Sequence, residues 1–270
     1  MRMLVRGGVL CAALLFASMA LAIGGDCAGW PEWGKFKQLY LSNDGRVVDA
    51  STPQSITVSE AQAYALVFAL VANDTVSFEK ILRWTRDNMA GGDLGHSLPA
   101  WKWGRADDGT WAVLDANSAS DADVWMLYAL TEAAQLWHNA RYARLAHAMS
   151  ESILREDVSL IPGLGPTLLP GPRGFVAQQA WRLNASYMPL QALRAIARRS
   201  GNRLWAKVLE SSLRVIVGSS PQGYAADWIE YRESGGFFAD SGTHGAGSYN
   251  AIRVYLWVGM LPDKIGRAHV

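Results

Sequence analysis

Two aspartates two residues apart, Asp121 and Asp123, open a segment that is otherwise apolar and carries Trp125 and Trp137. Acidic residues suit a helix start, where unpaired N–H groups and the macrodipole are positive. Ser120 and Asp121 as caps would explain one carboxylate and leave the other unexplained. Carboxylates aimed into a cavity at one end of a helical bundle would explain both. A third acid, Glu60, follows Thr57-Val58-Ser59 and heads another apolar segment. It reads equally as a first-turn acid behind a Ser59 cap or as a desolvated carboxyl, protonated at neutral pH as a general acid must be.

The elements that must hold these groups read as helices. Apolar residues recur at three- and four-residue spacing, which predicts helices near 31–42, 59–73, 75–90, 119–138, 140–157, 186–200, 202–217 and 250–260. Between them lie three long stretches. Residues 91–118 are rich in Gly and Trp, 158–185 are punctuated by Pro and Gly, and 219–247 hold a possible strand pair around Tyr224 to Tyr231 and a glycine-rich loop. Long loops inside a compact domain usually carry function. Nothing resembling a linker divides the chain, so one domain is the simplest count.

Composition narrows the partners. Apolar residues make up 50% of the 270 and charged ones 18%, with net charge +1, so there is ample core and no electrostatic case for nucleic acid. Tryptophan outnumbers tyrosine and phenylalanine, 12 against 9 and 7. An indole face is the surface that stacks on the C–H face of a pyranose ring. Trp84, Trp137, Trp205 and Trp257 sit in helical periodicity and read as core, whereas Trp101, Trp103 and Trp111 fall in a turn-rich stretch and read as ligand walls. The five histidines, at 96, 138, 147, 244 and 269, show no metal-ligand spacing, so no metal and no cofactor are expected. The glycines of 163–174 lack the strand-to-helix context and the Lys-Ser/Thr ending of a phosphate loop.

The two ends read as separate from the domain. Arg2 and Arg6 precede an apolar run from Val9 to Leu21 and an Ala20-Leu21-Ala22 cleavage site, which predicts a secretory signal peptide over 1–22, export to the periplasm or beyond, and no membrane span once it is removed. Cys11 would leave with it, so Cys27 would have no partner in this chain. Residues 265–270 follow a Pro-Asp turn without a closing helix and are expected to be a tail foreign to the domain, which would run over 23–264.

Six collinear blocks carry a family resemblance: Thr-Val-Ser-Glu-Ala-Gln-Ala-Tyr at 57–64, Leu-Pro-Ala-Trp-Lys-Trp-Gly at 98–104, Val-Leu-Asp-Ala-Asn-Ser-Ala-Ser-Asp-Ala-Asp-Val-Trp-Met at 113–126, Pro-Gly-Leu-Gly-Pro-Thr-Leu-Leu-Pro-Gly at 162–171, Asn-Ala-Ser-Tyr-Met-Pro at 184–189 and Ala-Ile-Arg-Val-Tyr-Leu-Trp-Val-Gly-Met at 251–260. From Trp30 to Asp263 the chain resembles glycoside hydrolase family 8, and most of all its branch that accompanies bacterial cellulose synthase. The resemblance implies an all-α (α/α)6 barrel, a cleft for β-1,4-glucan, and inverting hydrolysis by two carboxyl groups about 6.5 to 9.5 Å apart. By motif position it makes Glu60 the general acid, Asp121 the residue holding the distorted sugar, Tyr187 and Arg253 polar contacts to that sugar, and Trp101 and Trp103 stacking platforms. Asp123, beside Asp121, joins the substrate-binding set. It also implies a functional association with the cellulose synthase complex.

Two departures qualify it. Where that branch has the base aspartate of Ser-Tyr-Asp-Ala-Ile-Arg, this chain has Ser248-Tyr249-Asn250-Ala251-Ile252-Arg253. An amide cannot take a proton from water, so either the base is lost or the preceding loop supplies it. Glu233 and Asp240 are available there, with His244 nearby, and Asp240 is the choice, with Asn250 left to orient water or sugar. The second departure is length: eight helices against twelve predict a barrel cut short, with exposed apolar faces and poor solubility. The expected activity is an endo-β-1,4-glucanase. The alternatives are the same fold acting on chitosan or xylan, or a glucan-binding subunit without turnover.

Overall fold

The computed structural model describes residues 29–261. The signal peptide, Cys27 and the 265–270 tail lie outside the described residues. Among those described, eight α-helices form: α1 (Pro31–Tyr40), α2 (Ser59–Val71), α3 (Thr75–Met89), α4 (Ser120–Leu136), α5 (Ala140–Glu156), α6 (Leu190–Arg199), α7 (Leu204–Gly218) and α8 (Tyr249–Gly259). All eight segments expected from periodicity are helical. The largest shift is at α6, which starts at Leu190 because Pro189 cannot donate inside a helix, and a 3-10 turn, Ala185–Tyr187, precedes it.

Three helical hairpins repeat one turn chemistry. Asn73, His138 and Gly201 take left-handed backbone, with φ of 53°, 49° and 70°. In the first two the next residue caps the return helix, and in the third it lies one residue before the cap position, Arg203. Asp74 accepts from the Ser77 N–H at 2.9 Å, Asn139 from Arg141 at 2.9 Å, and Asn202 from Leu204 at 2.9 Å. In this way α2 returns as α3, α4 as α5 and α6 as α7.

The hairpins fall into two layers. Helix α4 packs on α2, α5 and α6, and α6 packs on α8. Helices α2 and α4 are apolar nearly all round, as buried helices must be, whereas α3, α5 and α7 bury one face. Leu66, Ile81, Met126 and Leu130 are fully or almost fully enclosed between the layers. Each contributes about 1.5 to 3 kcal/mol by leaving water. Trp205 is fully buried and donates its Nε1–H to Ser150 at 2.8 Å, and Trp257 donates to the Ser186 carbonyl at 2.8 Å. Trp84 is buried as expected, while Trp137 is only partly so and donates to Asn73 at 2.7 Å.

Because the inner helices α2, α4 and α6 each return through a short turn to an outer helix, they begin at the same end, and the start of α8 lies there too, its Arg253 reaching Asp121 at the head of α4. The long connections gather there too. They are antiparallel ribbons rather than irregular loops: β1 (Thr57–Val58), β2 (Lys102–Arg105) and β3 (Trp111–Asp115) form one sheet, β4 (Val158–Ile161) pairs with β5 (Gly165–Leu168), and β6 (Val176–Ala177), β7 (Ala180–Leu183), β8 (Ile229–Arg232) and β9 (Gly236–Ala239) form a third. The strand pair expected around Tyr224 lies further on, in β8 and β9, and is extended by β7, which the sequence did not announce. The core is all-α, with these short sheets at one end. No described helix is long and apolar enough to cross a membrane. Helix α8 leaves Tyr249, Ile252, Leu256 and Met260 exposed along one side, each at 52% or more.

Candidate active site

The shared end of the inner helices concentrates polar residues on an apolar floor. Glu60 is the second residue of α2 and Asp121 the second of α4. Neither helix is capped as the sequence suggested. Val58 and Ala119 hold the cap positions without a side-chain bond, and Ser59 and Ser120 are already helical. The Ser59 N–H instead donates to the Trp101 carbonyl at 3.0 Å, tying that loop to the head of α2.

Arg253, one turn into α8, joins the elements. Its guanidinium donates to Asp121 Oδ2 at 2.6 Å, to Tyr64 Oη at 3.2 Å and to Asn250 Oδ1 at 2.6 Å, and lies 5.4 Å from the Tyr187 ring. Tyr64 stands one turn after Glu60 on the same face of α2, a spacing that could have flagged it. Beneath them Trp125 packs edge-on to Tyr64 at 6.2 Å and against Trp257 at 5.2 Å.

Burial and the neighbouring Asp121 push the Glu60 carboxyl up to about 8, more than Arg253 and the Ser59 hydroxyl lower it. Burial also raises Asp121, against the pull of Arg253. Burial alone would lower Arg253, but Asp121 and Tyr64 raise it on balance. At neutral pH the arrangement holds a carboxylic acid beside an Asp121–Arg253 ion pair. It can donate a proton to an incoming oxygen and orient hydroxyls around it.

Helix α8 is set in place by a residue the sequence reading missed. Asp227 accepts the Ser248 N–H at 2.8 Å, the Ser248 hydroxyl, and the Ala251 N–H at 2.8 Å, capping α8 from outside. This fixes the turn that presents Asn250 and Arg253. Nothing in the spacing of Asp227 announces the role, since the contact spans 21 to 24 residues.

Three predicted site residues sit differently from expectation. Asp123 is fully buried, neither of its carboxyl oxygens meets a donor, and the charged group acting most strongly on it is Asp157, at the end of α5, rather than Arg253. Asp240 does not stand free as a base would. Arg182 holds it through Nε at 2.7 Å and Nη2 at 3.3 Å, while Oδ2 also accepts from the N–H groups of Gly242 and Thr243 and from the Thr243 hydroxyl. Arg182, aided by Thr243, holds this carboxyl down to about 2, so it is ionised but weakly basic. Trp103 stacks on Trp111 at 5.2 Å, and the Arg46 guanidinium lies 4.5 Å and 4.7 Å from the two rings, so its faces are occupied by neighbours. Trp101 is half-buried at the head of α2 with the Lys102 ammonium 5.6 Å from its ring, and Trp111 is half-exposed although it shares the Trp103 stack and the Arg46 guanidinium.

Asp240 stays linked to the cluster at one remove. The Arg182 guanidinium covers Trp228 at 4.1 Å, and Trp228 lies 6.0 Å from Tyr187. A cavity of about 720 Å³ opens among Leu127, His147, Glu151, Ile196 and Arg199, and none of Glu60, Asp121, Asp123 and Asp240 lines it. Among the described residues no group of three His, Cys, Asp or Glu could hold a metal ion.

Comparison with known proteins agrees with this architecture. The family model of glycosyl hydrolases family 8 matches residues 9–270. The endoglucanase of Xanthomonas axonopodis pv. citri is 46% identical over 260 residues, 96% of this chain and 67% of that one. The endoglucanase of Escherichia coli K12 is 42% identical over 96% of this chain and 69% of its own. The crystal structure of the endo-1,4-D-glucanase from Vibrio fischeri ES114 superposes with TM-score 0.84 at 47% identity, covering 87% of this chain and 68% of that one. With the cluster of acids at the common end of its inner helices, the chain belongs to glycosyl hydrolases family 8 and is a glycoside hydrolase.

Proposed function

We propose that the protein is an endo-β-1,4-glucanase that cleaves with inversion, using Glu60 to protonate the leaving oxygen. The observation that carries this is the Glu60 carboxyl held up at about 8 beside the Asp121–Arg253 pair, which keeps a proton available at neutral pH. The endoglucanase relatives support the choice of glucan. Asp121, Tyr187 and Arg253 hold the sugar at the cleavage point, with Trp101 stacking on a neighbouring unit. Asn250, fixed by Arg253, orients the attacking water, whose proton passes to solvent in the absence of a carboxylate base, so turnover is slow. A second reading keeps Asp240 as the base, favoured by the Arg182–Trp228–Tyr187 chain that links it to the cluster. On the strength of the N-terminal segment we place the protein in the periplasm or outside the cell, with a role in cellulose synthesis. In the same reading its helices belong to a twelve-helix (α/α)6 barrel, whose further helices would cover the apolar stripe of α8.

Reducing-sugar release from carboxymethylcellulose tests the proposal. Activity in the wild type that disappears in Glu60→Gln supports it. Activity untouched by that substitution overturns the assignment of the acid. Binding of cellooligosaccharides with no hydrolysis in the wild type would leave a glucan-binding protein instead.

A further inference from the structure

We infer that Asp123 and Asp157 share one proton, forming a buried strut that fixes the first turns of α4, and with them Asp121, against the end of α5. Neither Asp123 nor Asp157 is among the groups assigned to proton transfer. Both residues are fully buried. No N–H, hydroxyl or cation reaches either oxygen of Asp123, or Oδ2 of Asp157; Asp157 Oδ1 accepts from the Ser118 hydroxyl at 3.1 Å. A carboxylate only accepts, so two adjacent ionised carboxylates in this place would repel each other with no donor to compensate. One proton between them turns the contact into a charge-assisted O–H···O bond and halves the buried charge.

The surroundings offer no other neutralisation. The charged groups facing Asp123 are Asp157, Asp121 and Glu60, and the one acting on Asp157 besides its partner is Glu156; all are acidic. Arg253 is committed to Asp121, Tyr64 and Asn250. Burial, then Asp157, pushes Asp123 well above the carboxylate range, and burial pushes Asp157 up to about 7.

Position gives the pair its effect. Asp157 is anchored on both sides, its N–H on the Ile153 carbonyl at 2.9 Å and its carbonyl receiving the Leu169 N–H at 2.8 Å. Asp123 makes the first backbone bond of α4, to Ala119 at 3.1 Å, and the Ser120 N–H donates to the Pro170 carbonyl at 3.1 Å. The strut therefore pins the segment that aims Asp121 at Arg253. Asp123 is a positioning residue.

Linkage gives a test that needs no substrate. Both folded-state values lie above the unfolded carboxylate value, near 3.9. Above about pH 4 the native protein therefore holds protons that the unfolded chain releases, and stability falls as pH rises through 7. Thermal unfolding between pH 5 and 8.5 compares the wild type with Asp123→Asn and Asp157→Asn. An amide supplies a permanent donor to the remaining carboxylate, so we expect folded variants whose melting temperature falls less steeply with pH than the wild type's, the slope that remains being that of Glu60, which also keeps its proton to about pH 8. A slope equal to the wild type's in both variants, or failure of both to fold, overturns the proposal, because the amide is predicted to satisfy the pair. The activity arm rests on the glucanase reading. There Asp123→Ala should lower kcat on the order of 10²-fold with KM little changed, as expected for a misplaced reacting group, and Asp123→Asn should restore most of it. An inactive wild type would defeat the glucanase reading alone and leave the melting slopes to decide on the pair.

Discussion

Glu60 and Asp240 are acids on the same end of the molecule, and their surroundings drive them in opposite directions. Glu60 sits at a helix head over a tryptophan floor, with Asp121 as its strongest charged neighbour, and keeps its proton to about pH 8. Asp240 sits in a turn that presents two N–H groups, a hydroxyl and a guanidinium, and gives up its proton at about pH 2. Burial is the largest influence raising Glu60, whereas at Asp240, itself only 3% exposed, the Arg182 hydrogen bond outweighs burial. A buried carboxyl without enough donors becomes an acid, and one with a full set becomes an anchor.

The sharpest way to break this contrast is Glu60→Gln. Removing a general acid costs about 10²- to 10⁴-fold in kcat. The wild-type kcat/KM should fall on the alkaline side with an apparent value near 8, because the protonated form does the work. Rates measured from pH 5 to 9.5 check both statements. An alkaline limb that persists unchanged in Glu60→Gln would detach it from Glu60.

Arg253→Met tests the donor side of the same site. It leaves Asp121 buried beside Glu60 with no cation, and breaking a buried pair by removing one partner typically costs about 3 to 5 kcal/mol. Urea unfolding at pH 7 should show that loss, and it should shrink at low pH as Asp121 protonates. A variant as stable as the wild type would mean that Asp121 is already neutral.

Much of this was legible beforehand, and the reasons differ from residue to residue. Helix positions followed from apolar spacing, and Glu60 and Asp121 stood out because acids at the head of an apolar helix need an explanation. What stayed hidden depended on contacts between distant segments. Asp123 reads like Asp121, and only the packing of α5 against α4 separates them. Asp240 looked like a free loop acid until β7, which no local signal paired with β8, brought Arg182 beside it. Ser59 and Ser120 resembled caps because cap preferences are local, while the backbone of Val58 and Ala119 is set by the ribbons that deliver them.

Asn250→Asp probes the gap between acid and anchor. A carboxylate here would meet Arg253, which now donates to the amide oxygen at 2.6 Å. If position 250 faces the attacking water, the change supplies a general base and raises kcat by about 10²-fold. A rate that stays flat would move the base elsewhere and favour Asp240. A smaller effect is expected from Asp227→Ala, which strips the outside cap from α8 and costs about 1 to 2 kcal/mol. Thermal unfolding reads the stability loss, and kcat should drop with it, because Asn250 and Arg253 share that first turn.

Asp240→Asn is expected to do least. Its ion pair with Arg182 is buried on one side only, the arginine being 39% exposed, so solvent screening limits the loss to about 1 kcal/mol. The sign of its pH dependence is opposite to that of Glu60. A folded value near 2 against about 3.9 unfolded means that Asp240 stabilises the fold above pH 4 and loses this effect as pH falls toward 2. Wild type and variant should differ in melting temperature at pH 7 and converge near pH 2. Glucan hydrolysis should stay within a few-fold of wild type, because a carboxylate saturated by five hydrogen bonds has little basicity left to lose. Complete loss of hydrolysis with the fold intact would show that the turn opens in the substrate complex and that the anchor is also the base.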